Sequence, residues 1–188
     1  MNLEQIDTKI KKIMNEKRYQ HSLRVSLVAE KIAEYYKLPS EQVKILGLIH
    51  DCAKDYSVEN LKKLINKYHI RLDEVEEKIP KIWHAYVGAE LAREIFQIDD
   101  EEMLDAIRYH STASDKLSLI GKIIYIADKI EPDRGAKKIK KLWELLKQDI
   151  DSAMLELINQ ELNYLISKNL IIHPDTLFAR NKILINRK

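Results

Sequence analysis

The chain has 188 residues, 45% of them apolar, and its 32 Lys and Arg nearly cancel 30 Asp and Glu to leave a formal charge of +2. That length and apolar content suit one well-buried domain, and the balanced charge argues against a nucleic-acid coat protein or a polybasic membrane binder, both of which need a large field of one sign. The single cysteine, Cys52, cannot close an internal disulfide, no apolar run approaches the roughly 18 residues of a membrane span, and the acid-bearing N-terminus does not read as a signal peptide, so a cytoplasmic protein is expected. Only four glycines and four prolines occur, where average usage gives about 13 glycines, and that scarcity predicts helices with short connections.

In chain order, Leu3, Ile6, Ile10, Ile13 and Met14 mark a first amphipathic helix. Val25, Val28 and Ile32, with Leu27 and Ala29, mark a second that ends near Leu38 and Pro39. Ser40 is expected to cap a third helix carrying Leu46, Leu48 and Ile49. Helical patterns continue over 58–68, 82–96, 101–109 and 117–130, and a last long one runs over 136–168. Only 182–186 suggests a strand, too short and too terminal to build a sheet. The expected architecture is all-α, a single domain over 1–188 with a short irregular C-terminal tail from Asn169 onward. Within it, the basic cluster Lys137, Lys138, Lys140 and Lys141 reads as a solvated helix face.

The informative residues are the polar ones that fall on apolar stripes. His21 is in line with Val25, Val28 and Ile32, His50 follows Val43 and Leu46, and His84 shares a face with Gly88, Leu91 and Ile95. His110 follows Met103 and Ile107, and Asp128 follows Ile120 and Ile124. One such histidine is usually a satisfied core residue. An ionised carboxylate in an apolar setting is costly unless paired or metal-bound, and five such groups from five helices call for a common partner. A metal centre is the economical one, since ligands from different helices can converge on an ion inside a bundle. A Cys-rich structural zinc site is excluded by composition, and a His/Asp set suits iron, manganese, zinc or nickel better than calcium or magnesium.

The ordered set His21, His50-Asp51, His84, His110, Asp128 resembles the HD superfamily of metal-dependent phosphohydrolases. The words RYQHSLRV (18–25), GLIHDCAKD (47–55), HAYVGAELA (84–92), AIRYHST (106–112), IYIADKIEPDR (124–134) and LIIHPDTLFARN (170–181) are similar to the YqeK family. That family comprises HD-domain symmetrical bis(5'-nucleosyl)-tetraphosphatases, which split diadenosine tetraphosphate into two ADP. The similarity runs from the first helix to residue 181. One departure is Ala113-Ser114, after Ser111-Thr112, where a glycine is expected close by.

The resemblance implies an HD-domain helical bundle with a metal-binding core over about 18–134 and a C-terminal helix and nucleoside-contacting tail over 136–188. It implies that His21, His50, Asp51 and Asp128 ligate the principal metal, iron first, with manganese, zinc or nickel open. His84 and His110 then either complete a second metal with Asp51 as a bridge or contact the phosphates. Asp51, Lys54, His84, His110 and Arg134 are the catalytic candidates. Substrate contacts fall to His21, Asp51, His84, His110, Ser111, Asp128 and Arg134, and to the tail residues Ile171, Ile172, His173, Pro174, Asp175 and Thr176. Lys54, one turn after His50, and Arg134, after Glu131-Pro132, are placed to neutralise a polyphosphate, the alternative for each being an ordinary surface cation. Arg24 reads as a supporting ion-pair partner, His69 as a surface residue and Cys52 as a small packing residue.

The expected reaction is attack of an activated water on an inner phosphorus, with a nucleoside diphosphate leaving. The expected partner is a nucleotide, with no nucleic acid and no membrane, on a monomer or homodimer. The rival readings are the same metal site acting on a deoxynucleoside triphosphate, a guanosine polyphosphate or a cyclic dinucleotide, a nucleotide-sensing module without turnover, or a helical domain whose histidines are merely buried. The four glycines, Gly47, Gly88, Gly121 and Gly135, lie near these candidates, which suggests close helix packing around the site or a turn beside it.

Overall fold

The computed structural model describes residues 1–130 and 136–187. Among them the chain is all-α, with no strand. Helix α1 (Leu3–Ile13) opens on a capping box between Asn2 and Gln5, and α2 (Glu16–Tyr35) on Asn15, whose side chain accepts from the Arg18 amide. Next come α3 (Ser40–Ile49), α4 (Val58–Lys67), the single turn α5 (Glu74–Glu77), a 3₁₀ turn (Pro80–Ile82) and α6 (Trp83–Phe96). The chain continues through α7 (Glu101–Arg108), α8 (Leu119–Ile130), α9 (Ala136–Gln148), α10 (Ile150–Ser167) and α11 (Pro174–Asn186). Ser57, Asp73 and Asp100 cap the helices that follow them, each accepting backbone amides of the first turn. None of the described helices is long and apolar enough to cross a membrane.

The centre of the fold is α2 packed along α3 and against α8, with α7 bridging α6 and α8 and α10 lying on α8 and α9. Ile32, Leu46, Ile49, Ile107, Ile123 and Ile124 are fully buried there and belong to one continuous apolar core. Glycine matters most at Gly47. A β-carbon at that position would lie 2.7 Å from the Ser26 Cα, so α2 and α3 touch backbone to backbone, and the residues that follow on each helix are drawn together. Gly88 is less demanding, since its β-carbon would meet Ile107 at an ordinary 3.4 Å. Gly121 would crowd only the Leu117 side chain, four residues earlier. Gly135 lies outside the described residues.

Several local expectations need correction. The tail is not irregular: residues 174–186 form α11, so the strand suggested over 182–186 is helix as well. His173 caps this helix through Nδ1, which accepts from the Asp175 amide, and Pro174 occupies the first turn, where its missing N–H costs nothing. The helix escaped the periodicity reading because it is apolar on two sides. Thr176, Ala179 and Ile183 face the core while Leu177, Phe178, Leu184 and Ile185 are exposed, which cancels the stripe. The long helix read over 136–168 is two helices, broken at Asp149, whose carboxylate caps Asp151 and Ser152. Ser40 is not a cap but the first residue of α3, behind Pro39, and no side chain caps that helix. Leu27, grouped with the buried stripe of α2, is half exposed. Lys140 and Lys141 are exposed, Lys141 pairing with Glu156 at 2.6 Å.

Gly47→Ala should force α2 and α3 apart against a backbone that cannot yield locally. Overpacking of this kind costs about 1–3 kcal/mol, and calorimetry should show a melting temperature lower by roughly 2–4 °C for each kcal/mol lost. An unchanged melting temperature would contradict the close approach.

Candidate metal and phosphate site

The five polar groups converge. His21 comes from the middle of α2, His84 from the start of α6 and Asp128 from the end of α8. His50 is the first residue past α3, and His110 lies two residues past α7, so these two are presented by helix ends rather than helix faces. Asp51 follows His50 and is 3% exposed, and His50, His84 and His110 are at most 2% exposed.

Geometry assigns the histidine protons. Nδ1 of His50 lies 2.8 Å from the Gly47 carbonyl, that of His84 2.7 Å from the Lys81 carbonyl, and that of His110 2.7 Å from the Ile107 carbonyl. A carbonyl can only accept, so each ring carries its proton on Nδ1 and turns the Nε2 lone pair into the site. Those lone pairs face carboxylate oxygens. Asp51 Oδ1 is 3.2 Å from His84 Nε2 and 3.3 Å from His110 Nε2, and these two nitrogens are 3.2 Å apart. On the other side, Asp51 Oδ2 lies 3.8 Å from His21 Nε2 and 3.7 Å from His50 Nε2. Asp128 Oδ1 lies 3.2 and 3.8 Å from the same two nitrogens.

The separations of 3.2–3.3 Å suit a shared cation, while those of 3.7–3.8 Å correspond to a wider angle between ligands. Two ligand atoms each about 2.1 Å from one ion, at angles between a right angle and the tetrahedral value, lie roughly 3.0–3.4 Å apart. The buried atoms His50 Nε2 and Asp51 Oδ1 find no hydrogen-bond partner among the described residues, a costly arrangement unless something positive meets them. Two groups of buried donors, His21 with His50 and Asp51, and Asp51 with His84 and His110, are close enough to hold an ion each. Asp51 belongs to both.

The electrostatics favour ionised carboxylates and neutral outer histidines. Burial raises the Asp51 carboxyl, but His50, His110 and His84 outweigh it and hold it well below the usual carboxylate value. Asp128 is likewise driven up by burial and pulled well below its ordinary value by His21 and His50, with Lys129 adding to the effect. His84 is lowered by burial, and His110 is pushed down to about 4 for the same reason. His50 is raised, because Asp51 and Asp128 overcome its burial.

Cations border this cluster. Lys54 Nζ lies 3.1 Å from His84 Nε2, and burial lowers its pKa. Ser111 Oγ stands 3.3 and 3.2 Å from Nε2 of His84 and His110. Two neighbours were missed in the sequence. Arg18 Nη1 donates to Asp51 Oδ2 at 2.7 Å. Lys129 Nζ donates to the His110 carbonyl at 3.1 Å, lies 3.6 Å from Asp128 Oδ2 and sits 3.8 Å from the Tyr125 ring centre. Their signal was available: Arg18 is one turn before His21 on α2, and Lys129 adjoins Asp128. Arg134 lies outside the described residues.

The tail is stitched to the same region. Thr176 Oγ1 donates to the Thr112 carbonyl at 2.7 Å, beside Ser111. His173 and Thr176 are buried, Ile172, Pro174 and Asp175 partly buried, and Ile171 half exposed. Ala113, the departure noted in the sequence, takes the left-handed conformation with φ of 61°, where glycine is the usual occupant. Cys52 is buried, its thiol pushed up to about 12 by burial and 3.6 Å from the Gly88 carbonyl, which suits packing rather than redox chemistry. His69 is exposed.

The HD domain family model matches residues 18–133. Over 181 residues the chain is 33% identical to the symmetrical bis(5'-nucleosyl)-tetraphosphatase of Bacillus subtilis, covering 96% of this chain and 97% of that protein. It is 30% identical over 183 residues to the protein of the same name from Staphylococcus aureus, covering 96% and 94%. A crystal structure from Clostridium acetobutylicum, titled a predicted HD superfamily hydrolase involved in NAD metabolism, matches with a TM-score of 0.93 at 33% identity, covering 100% of this chain and 99% of that one.

A histidine lowered from an ordinary 6.5 to about 4 contributes stability that is full above its unfolded value and is lost as pH falls toward its folded one. His84 acts in the same sense and His50 in the opposite one. Metal-stripped protein should therefore lose melting temperature on acidification from about pH 6.5 to 4, and His110→Asn should flatten that loss by up to ~3 kcal/mol. An unchanged pH profile in the variant would overturn the burial of a neutral His110.

Proposed function

The chain belongs to the HD domain family, and from that premise we propose that it is a metal-dependent hydrolase that cleaves diadenosine tetraphosphate symmetrically into two molecules of ADP. The observation that carries the reading is Asp51, a buried carboxylate with each oxygen facing a different pair of imidazole nitrogens. The substrate assignment rests on two relatives that align over nearly their whole length and bear the name symmetrical bis(5'-nucleosyl)-tetraphosphatase.

In this reading His21, His50, Asp51 and Asp128 hold the principal metal, and Asp51, His84 and His110 the second. Iron is the first choice, with manganese, zinc and nickel as alternatives, since ligand type alone does not select among them. A metal bound there polarises a phosphoryl oxygen and lowers the pKa of water from 15.7 to roughly 7. The protein's own share is positioning and charge. The backbone carbonyls at Gly47, Lys81 and Ile107 fix the tautomers of His50, His84 and His110, so these three Nε2 atoms arrive as lone-pair donors without a proton to displace. Lys54 and Lys129, with Arg134 by resemblance, balance the polyphosphate's negative charge, which is most of what phosphoryl transfer asks of a protein. Ser111 offers a hydroxyl beside His84 and His110, and Ile171 to Thr176 border the nucleoside. Water adds to one inner phosphorus, the anhydride oxygen leaves with the other ADP, and a diphosphate is a good enough leaving group to need no dedicated acid.

Anaerobic assay with iron or manganese tests this directly: ADP should be the sole product from diadenosine tetraphosphate. AMP with ATP would mean asymmetric cleavage. Turnover confined to a deoxynucleoside triphosphate, a guanosine polyphosphate or a cyclic dinucleotide would overturn the substrate while keeping the hydrolase. Asp51→Ala should lose bound metal and at least about a thousandfold in kcat, the scale of removing strong electrostatic stabilisation from an active site. Metal retention with wild-type turnover in that variant would refute the ligand assignment.

A further inference from the structure

One buried polar cluster has no part in the metal site. Glu76, in the single-turn α5, uses both carboxylate oxygens. Oε2 accepts the Asp73 amide at 2.7 Å to close a capping box, and Oε1 accepts the Tyr86 hydroxyl at 2.7 Å. The same Oε1 lies 3.4 Å from His173 Nε2, and the Tyr86 oxygen is also 3.4 Å from that nitrogen. Since His173 Nδ1 accepts the Asp175 amide at 3.2 Å, the imidazole proton sits on Nε2 and points at Glu76 and Tyr86. His173 is 7% exposed and Tyr86 6%. Three elements distant in sequence, α5, α6 and the cap of α11, therefore meet in one part-buried hydrogen-bonded knot, where shielding from water strengthens such bonds.

The segment this knot holds is the one that precedes α11. Ile171 and Ile172 sit between the end of α10 and the His173 cap, and their peptide N–H and C=O groups make no hydrogen bond to another described residue. Two residues past the Pro174 turn, Thr176 is tied to the Thr112 carbonyl next to Ser111. A short stretch with free peptide groups is thus followed directly by two anchors, the knot at His173 and the Thr176 bond to the loop that carries His110. Such a stretch can read the edge of a purine through its backbone, provided it is held still.

The geometry points to Glu76 and Tyr86 as positioning residues for the nucleoside: they clamp His173 and so fix the Ile171–Ile172 backbone that immediately precedes it. This rests on the proposed nucleotide reading of the site. Neither residue touches the reacting phosphates, so the clamp should govern binding of the nucleoside half and leave the chemical step alone.

The test separates the nucleoside from the phosphates. Tyr86→Phe deletes one hydroxyl and keeps the ring, while Glu76→Gln has one acceptor oxygen where the site uses two. On metal-loaded protein, KM for diadenosine tetraphosphate and the inhibition constants of ADP and inorganic pyrophosphate are measured, with melting temperature as the check on folding. For either variant that folds, KM and the ADP constant should rise about tenfold, equivalent to ~1.4 kcal/mol, while kcat and the pyrophosphate constant stay within about twofold. Equal weakening of ADP and pyrophosphate, a fall in kcat at constant KM, or no change in either constant overturns the clamp, and so does failure of both variants to fold, which makes the knot structural. Wild-type protein that binds ADP no tighter than pyrophosphate overturns it as well, at the level of the nucleoside contact. Wild-type protein that binds ADP selectively but does not cleave diadenosine tetraphosphate overturns the proposed reaction instead, and the ADP and pyrophosphate constants of the variants still decide the clamp.

Discussion

A carboxylate buried to 3% exposure must be compensated, and at Asp51 the whole centre of the molecule is arranged to compensate it. Removing such a group from water costs several kcal/mol before any partner is counted. The Arg18 guanidinium meets part of that cost through Asp51 Oδ2, and the four imidazole nitrogens facing the two oxygens form with them a donor set that a shared cation would satisfy. Because its two oxygens face different histidine pairs, Asp51 belongs to both halves of the site. Of the helices that deliver those histidines, α2 and α3 form the most extensive helix pairing in the fold.

That packing depends on close backbone approach as much as on apolar burial. Gly47 lets α3 lie against the Ser26 backbone of α2, one turn from His50 on one helix and five residues from His21 on the other. The same residue supplies the carbonyl that fixes the His50 tautomer. A single position thus sets both the distance between two ligating side chains and the proton placement of one of them. His84 and His110 repeat the device with the carbonyls three residues before them, so three rings are oriented by local backbone rather than by other side chains. A site prepared in this way spends little binding energy on reorganisation when a cation arrives.

How far the sequence could be read differed by region, for physical reasons. The metal cluster was legible because ionisable residues on apolar helix faces violate the expected burial pattern, and His21, His84 and Asp128 lie on such faces. The C-terminal helix was not, because Leu177, Phe178, Leu184 and Ile185 place apolar residues on its outer side and erase the periodicity. Asp149 broke a long pattern because a capping side chain interrupts a helix without interrupting its apolar spacing. Arg18 and Lys129 went unnoticed since cations on helices are usually solvated, although each lies within one turn of a candidate ligand.

Composition, helical spacing and the ordered His and Asp residues by themselves determined an all-α fold, a metal-competent donor set and the family resemblance. These are properties of residue type and of the helical repeat, which operate within a few residues of one another. Which oxygen of Asp51 meets which histidine, which ring nitrogen carries its proton, and the knot of Glu76, Tyr86 and His173 were decided only in three dimensions. Such contacts join helices dozens of residues apart, and their distances follow from how closely backbones approach, a quantity that no local pattern of residues encodes.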